Sequence, residues 1–315
     1  MIFLTYFFTI LKSVIYGLSV FFTSGLSENC DVLDILALRF LMSFAVLWLL
    51  KITKIVKINV GLGDFFKSER PKFLPSLLLA ALFEPVLYMF FETLGISMSS
   101  GITTGVILSL APISSCIAEE IVLKEKSTVL QKIFLCVGIV GVIYIAVNTD
   151  TSGGKDSVFG IICLVLAVIS GSLFTAFSRK SSKAFNSMER TYVTAALGMV
   201  VFNFINVIRH IFAGDILSYF KPYFNLQNLI GFVFLSVIST IIATAMANFA
   251  LAHAQISTIS AFGGVSTLTT IAVGILLFGE RLERFHIIGL VLIVARMVVV
   301  SYISIKKERK LSADA

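Results

Sequence analysis

Charged side chains inside long apolar stretches are the residues of this sequence best placed to do chemistry. Glu84, Tyr88 and Glu92 follow one another at intervals of four, which places them along one face of a helix. Pro85 removes a backbone hydrogen bond beside Glu84 and predicts a kink with a free carbonyl group there. Because carboxylates inside a membrane often mark proton relays, the pattern predicts that Glu84 exchanges a proton.

Lys12 lies in the middle of the first apolar stretch, at the same predicted depth as Glu84. Two interpretations follow from the sequence: a static buried ion pair that fixes helix packing, or a cation that acts on a proton-exchanging carboxylate. Tyr16 lies one helical turn beyond Lys12. Ser170 and Asn248 lie in later apolar stretches and complete the predicted substrate pathway, with Asn248 near an inner gate.

The composition defines the solvent in which these residues must fold. Of the 315 residues, 57% are hydrophobic and 14% are charged, and the mean hydropathy is +0.99. Soluble domains carry about 25% charged residues, so the composition excludes a soluble enzyme and predicts an integral membrane protein. The net charge of +7 comes from short basic runs between apolar stretches, which favours membrane loops over nucleic-acid binding.

No motif for a metal or a nucleotide accompanies the apolar stretches. The four cysteines are scattered without a CxxC pair, so neither a zinc site nor a disulfide framework is predicted. The segment GKDS at 154–157 lacks the glycine spacing of a phosphate loop. We therefore expect neither a cofactor nor ATP binding.

Ten apolar stretches are long enough to cross the roughly 30 Å hydrocarbon core of a bilayer. The sequence lacks the alternation of a membrane barrel, so all ten are predicted to be helices. Most of the 25 Lys and Arg residues fall in loops on one side of these spans, which predicts that both termini are cytoplasmic. The spans are predicted near 3–23, 32–50, 73–95, 100–123, 130–148, 157–178, 191–212, 227–250, 255–278 and 285–304.

The polar segment 148–157 leaves five spans on each side, in halves 1–150 and 151–315. Because five is odd, a duplicated second half must be inverted in the membrane, an arrangement common in secondary transporters. A shift of 155 residues places Glu125 on Glu280 and also aligns small residues of the fourth and ninth spans. Small residues at intervals of four let helices approach closely, which predicts two crossed central hairpins. These residues are Gly101, Gly105 and Ser109 in the first half, with Ser260 and Gly264 in the second.

With these spans and this repeat, the sequence resembles the drug/metabolite transporter superfamily, specifically its ten-span bacterial members built from two EamA-type repeats. The resemblance covers essentially the whole chain. It rests on Tyr16-Gly17, on the Arg39-Phe40 pair of the second span, on LAPISSCIAEEIVLKE at 110–125 and on LLFGERLERFHIIGLVLI at 276–293. The second half departs from the first, because Thr267 stands where the first has Pro112 and Ser170-Gly171 stands where the first has Tyr16-Gly17.

The resemblance implies a transporter that moves a small metabolite by alternating access, often outward and often against a proton. It also implies that the first, third, fourth, sixth, eighth and ninth spans surround a central cavity, while the fifth and tenth support it and can form a homodimer contact. The expected partners are a small-molecule substrate, membrane lipid and protons in a bacterial cell membrane. Two alternatives stay open. One is a lipid-linked sugar flippase of the same fold; the other is an intramembrane enzyme, although neither HExxH nor GxSxG occurs.

Overall fold

The computed structural model describes residues 2–61, 63–65, 69–124, 157–254 and 262–279, with isolated residues 133, 256, 259 and 291. Within these residues every regular element is a helix and no strand occurs. Two short 3-10 turns, Ile216–Ser218 and Lys221–Phe224, connect two of the long helices. The longer elements are α1 (Ile2–Ser27), α2 (Val32–Ile52), α3 (Arg70–Ala81), π1 (Leu82–Leu87), α4 (Tyr88–Ser97), α5 (Gly101–Leu108), α6 (Ala111–Leu123), α7 (Val158–Ser181), α8 (Ser187–Ala213), α9 (Leu226–Val233), π2 (Phe234–Ala243), α10 (Thr244–His253) and α11 (Gly263–Phe278).

Six continuous helical stretches are long and apolar enough to cross a membrane. They correspond to the first, second, third, sixth, seventh and eighth predicted spans. The fourth predicted span forms α5 and α6, and α11 contains most of the ninth. Apart from the isolated residues 133 and 291, the fifth and tenth predicted spans, 130–148 and 285–304, lie outside the described residues, so the count of ten stays a prediction. The six stretches are Leu4–Ser27, Val32–Ile52, Arg70–Ser97, Val158–Ser181, Ser187–Ala213 and Leu226–His253.

Two membrane faces are distinguished by the helix ends they carry. The N-face holds the start of α1, the loop from α2 to α3, the end of α6 and the loop from α7 to α8. On this face the Arg70 guanidinium pairs with Glu189 at 2.9 Å, and Arg179 of α7 pairs with Glu119 of α6. On the opposite face, the Arg209 guanidinium lies 2.6 Å from both Asp31 and Asp34. Each face therefore joins the two halves of the chain by ion pairs.

The helix contacts follow the pattern of two inverted repeats. The first helix of the first half, α1, starts at the N-face and packs against π2, α10 and α11 of the second half. The first helix of the second half, α7, starts at the opposite face and packs against α3, α4 and α6 of the first half. Two further contacts, α2–α8 and α5–α11, each join a helix of the first half to its counterpart in the second half. An inverted repeat maps each of these pairs onto itself. The all-helical membrane fold with two inverted repeats is therefore confirmed.

The α5–α11 crossing depends on a glycine at the point of contact. A Cβ atom added at Gly105 would lie 3.3 Å from side-chain atoms of Thr270 and Ile271. A larger residue at position 105 would push the two helices apart. This crossing is the close approach that the small residues of the fourth span predict.

Both third spans of the halves contain a π-helical segment. In the first half, π1 contains Pro85, and Glu84 has the extended dihedrals φ −139° and ψ 116°. The kink predicted beside Glu84 is therefore present. In the second half π2 occupies the equivalent position, because the shift of 155 residues places Leu82–Leu87 inside Phe234–Ala243. The two breaks lie at the same level of the inverted repeat.

Candidate transport cavity

A cavity of about 170 Å³ lies between the two halves near the middle of the described structure. The six spans that line it are the first, third, fourth, sixth, eighth and ninth, the set implied by the resemblance. The lining residues are Lys12, Ser13, Tyr16, Glu84, Tyr88, Glu92, Gly105, Leu108, Ala111, Ser115, Val168, Gly171, Phe174, Thr175, Ala247, Leu251, Ile259, Ser266, Thr267 and Thr270.

The charged groups of the cavity all come from the first half of the chain. Lys12 and Tyr16 project from consecutive turns of α1, and the Lys12 ammonium lies 5.7 Å from the centre of the Tyr16 ring. Glu84, Tyr88 and Glu92 line the cavity from π1 and α4. The Tyr88 hydroxyl donates to Glu92 Oε1 at 2.5 Å, as their spacing of four residues allows. One wall of the cavity is therefore ionisable.

Lys12 and Glu84 share the cavity but do not form an ion pair with each other among the described contacts. Glu84 also forms no hydrogen bond with another described residue. Both side chains are partly accessible instead of fully buried. The two groups do not touch in this conformation, so both interpretations of Lys12, the static pair and the cation beside a proton-exchanging Glu84, stay predictions.

The second half supplies a less polar wall. Gly171, Phe174, Ala247 and Leu251 face the cavity, together with hydroxyl groups of α11. Gly171 lies close to the Tyr88 ring of the opposite wall. A Cβ atom added at position 171 would lie 2.9 Å from Cδ2 of that ring. The cavity thus has a charged side and an apolar side.

Two residues of the predicted pathway lie outside the cavity lining. The Ser170 hydroxyl donates to the carbonyl of Leu166 in its own helix at 2.8 Å. Asn248 is fully buried near the N-face, where its Oδ1 accepts from the Ser178 hydroxyl at 2.7 Å and its Nδ2 donates to Thr191 at 3.0 Å. Asn248 therefore ties three helices together, and a gating role for it stays a prediction.

The remaining predicted residues belong to helix packing. Gly101 begins α5, Ser109 ends it as a buried residue, and Pro112 lies in the first turn of α6. Gly264 is buried near the start of α11. Glu125, Ser260 and Glu280 lie outside the described residues.

Arg39 and Arg190 are fully buried cations whose roles are not evident from the sequence. Arg39 donates to the hydroxyl of Thr240 at 2.8 Å. Arg190 donates to the Ser178 hydroxyl at 2.7 Å and also contacts the Asn248 carbonyl. Neither arginine has an acidic partner in an ion pair among the described residues. The sequence signal for Arg39 is its place inside an apolar span, whereas Arg190 lies just before the predicted seventh span.

Apolar clusters lie on both sides of the cavity. Toward the opposite face, Val20, Ile102 and Leu164 belong to one buried cluster. Toward the N-face, Ala176 and Leu251 belong to a second. The cavity therefore lies between two clusters of buried apolar side chains.

These features define a class: a membrane protein of two inverted repeats whose broken helices surround a central polar cavity is a membrane transporter. The chain belongs to the EamA-like transporter family, whose model matches residues 3–147 and again residues 158–302.

Similar proteins agree with this assignment. "Uncharacterized transporter YcxC" of Bacillus subtilis (strain 168) is 32% identical over 305 residues, covering 97% of this chain and 95% of that protein. An "Uncharacterized transporter" of Archaeoglobus fulgidus is 26% identical over 177 residues, covering 55% and 58% of the two chains. A solved structure titled "Crystal structure of protein" has a TM-score of 0.63 at 13% identity and covers 96% of this chain and 98% of its own, which supports the fold alone.

Proposed function

We propose that this protein is a secondary transporter that exports small organic metabolites, such as amino acids, by alternating access. We also propose that it couples this movement to protons through Glu84, in a bacterial cell membrane with both termini cytoplasmic. The observation that carries the proposal is the two-sided cavity, with ionisable groups on the wall of the first half and apolar groups on the wall of the second.

The chemistry of the walls suits a small amphipathic zwitterion. The Lys12 ammonium offers a partner for a substrate carboxylate, and the Glu84 and Glu92 carboxylates offer partners for an amino group. Phe174 and Leu251 offer apolar surface for a side chain. An amino acid presents these three features together.

The volume of the cavity also favours a small solute. Pockets for drug-sized ligands usually enclose about 300–1,000 Å³, and this cavity encloses about 170 Å³. A lipid-linked sugar needs more space and a lateral opening to the bilayer. The size therefore favours a free metabolite over the flippase alternative.

Glu84 is the better candidate for proton exchange among the two carboxylates. Glu92 accepts a hydrogen bond from Tyr88 and is 8% exposed. Glu84 lines the cavity from an extended residue of a broken span, and no described residue donates a hydrogen bond to it. A carboxylate that faces a cavity without a fixed partner can bind and release a proton as access alternates.

The direct test is flux in proteoliposomes that contain the full chain. Amino acids, sugars and nucleosides are offered with and without an imposed pH gradient. We expect gradient-dependent movement of amino acids. No movement of any member of the panel by folded, inserted protein would overturn the amino-acid proposal and favour a lipid-linked substrate.

Matched variants then assign the proton step. Glu84→Gln removes the titratable group while it keeps the size and polarity of the side chain. We expect it to retain substrate binding and to lose the response of flux to the pH gradient. Glu92→Gln is the control and should weaken transport while the response to the gradient persists. An unchanged response in folded Glu84→Gln protein would reject Glu84 as the coupling group.

A further inference from the structure

Two described spans depart from the α-helical register, at π1 and at π2, and the two departures have different origins: π1 is a kink with an extended residue, whereas π2 is a continuous wider turn. In π1, Pro85 cannot donate a backbone hydrogen bond and its ring crowds the preceding turn, which accounts for the break. The segment π2, with the sequence FLSVISTIIA, contains neither proline nor glycine. The local sequence therefore does not explain why π2 leaves the α-helical register, so the cause must lie in its contacts.

The serine and threonine side chains show the register directly. In the α-helices, hydroxyl groups donate to a carbonyl three or four residues earlier, as Thr194 does to Thr191 at 3.0 Å and Ser172 to Val168 at 2.7 Å. In π2, the Thr240 hydroxyl donates to the carbonyl of Leu235, five residues earlier, at 2.8 Å. The local hydroxyl bonding therefore follows the wider turn.

Two side chains of α2, Arg39 and Ser43, form hydrogen bonds with residues of π2. The carbonyl of Ser236 lies four residues before Thr240 and would be its acceptor in an α-helix. That carbonyl lies 3.0 Å from the Ser43 hydroxyl, which is shared between it and the carbonyl of Arg39 at 2.7 Å. Arg39, one turn earlier on α2, donates through Nε to Thr240 Oγ1 at 2.8 Å and through Nη2 to Ser239 Oγ at 3.3 Å. These contacts join the side chains of α2 directly to the hydroxyl groups and backbone of π2.

All of these groups are inaccessible to water, so their bonds have no substitute. Arg39 is 2% exposed and Ser43 is 0% exposed. Each donor or acceptor left unsatisfied at such depth costs about 1–3 kcal/mol. The Ser236 hydroxyl is buried and has no partner among the described residues, so π2 has a donor in reserve for another arrangement.

The same segment connects α2 to the wall of the cavity. Thr244 Oγ1, at the end of π2, lies 3.3 Å from the Tyr16 hydroxyl, and Tyr16 lines the cavity. Ala247 and Leu251 of α10, which follows π2, also line the cavity. Because a π turn holds more residues than an α turn, a change of register in π2 rotates α10 about its axis.

We infer that Arg39 is a positioning residue: through Thr240 and Ser239 it holds π2 in the π-helical register and so determines which side chains of α10 face the cavity. Arg39 does not line the cavity itself. The inference concerns the shape of the site and holds for any substrate and any coupling ion.

Cysteine labelling tests the inference without knowledge of the substrate. The full chain is prepared with its four native cysteines replaced by serine, and single cysteines are introduced as Ala247→Cys, Ala250→Cys or Met246→Cys. Ala247 lines the cavity, whereas Ala250 is 0% exposed in the N-face cluster. With Arg39 present, a small water-soluble thiol reagent should label position 247 and spare position 250, as mass spectrometry can determine.

The register is then released by two independent substitutions. Arg39→Gln removes the guanidinium, and Thr240→Val removes the hydroxyl while it keeps the branched shape. In each variant we expect labelling at position 247 to fall to the level of the buried control. Labelling at position 250, or at position 246, which is already partly exposed, should rise above its level with Arg39 and Thr240 present. Arg39→Lys should restore part of the original pattern, because lysine reaches Thr240 without the two-nitrogen fork.

A matched control separates positioning from general stability. Thr194 is a buried threonine of α8 whose hydroxyl donates to the Thr191 carbonyl at 3.0 Å. Thr194→Val should leave the labelling pattern unchanged. If folded Thr240→Val protein labels like the parent, the inference is wrong, and the same variant decides the question if Arg39→Gln does not fold. If Arg39 only stabilised the fold, Arg39→Gln would lower the yield of folded protein, but the same cysteine position would be labelled as in the parent.

Discussion

The contact between α1 and α11 predicts a large difference between two identical substitutions on one helix. A Cβ atom added at Gly17 would lie 2.5 Å from the Thr269 Cβ and 2.7 Å from the Ser266 backbone oxygen. A Cβ atom added at Gly25 meets nothing within 4 Å. Both glycines lie in α1. Gly25→Ala is therefore a matched control for Gly17→Ala.

The magnitude follows from two opposing effects. Alanine is favoured over glycine in a helix by about 0.5–1 kcal/mol, and this gain applies at both positions. Overpacking costs typically about 1–3 kcal/mol. At Gly17 the neighbours are a backbone oxygen and a β-carbon, neither of which can move without its helix. We expect Gly25→Ala to be neutral or stabilising and Gly17→Ala to be about 1–3 kcal/mol less stable than Gly25→Ala.

Thermal unfolding in detergent, followed by far-ultraviolet circular dichroism, measures this difference because every regular element of the described chain is helical. Gly17→Ala should unfold at a lower temperature than the parent protein and Gly25→Ala should not. The Thr270 hydroxyl donates to the Gly17 carbonyl at 3.3 Å, and this bond should lengthen as the helices separate. Equal melting temperatures for the two variants would show that α1 and α11 do not approach as closely as the distances state.

Three further substitutions test other parts of the structure. Asn186→Ala removes the N-cap of α8, which accepts from the Glu189 amide at 2.8 Å, and should cost about 0.5–2 kcal/mol in thermal unfolding; no change would argue against the capping box. Arg190→Ala leaves buried oxygen atoms without a donor and should cost at least about 1–3 kcal/mol, so a melting temperature equal to that of the parent would contradict the network. Gly171→Ala should displace the Tyr88 ring and slow flux in proteoliposomes with little loss of folded protein, and unchanged flux would show that the ring has room to move.

Apolar length was sufficient to predict most of the described fold. The stretches near 3–23, 32–50, 157–178 and 191–212 all correspond to long helices, because lipid selects continuous apolar segments. Odd numbers of spans on each side of 148–157 were sufficient to predict inversion. The helix ends extend past the apolar stretches, since capping residues and interfacial charges continue the helix without adding hydrophobicity.

Depth along a span predicted which residues share the cavity, but it could not predict which of them touch. Lys12 and Glu84 line the same cavity, as their depths suggest, and yet they are not an ion pair among the described contacts. Contact depends on the rotation of each helix about its axis. In α3 to α4 that rotation changes at an extended residue, and the angle of such a break cannot be read from spacing. For the same reason the Arg39–Thr240 bond could not be predicted from spacing, because it depends on the register of π2.

The duplication explains why the cavity is charged on one side only. A shift of 155 residues places Lys12 on Ala167 and Glu92 on Ala247. A symmetric pair of halves would present two opposed sets of charges, which would repel one another in a cavity of about 170 Å³. The second half has small residues in place of a second set of charged side chains. One small residue also leaves space for a side chain of the first half, since the Tyr88 ring packs directly on Gly171. The repeat therefore keeps a similar arrangement of helices in both halves, while the side chains that line the cavity differ between them.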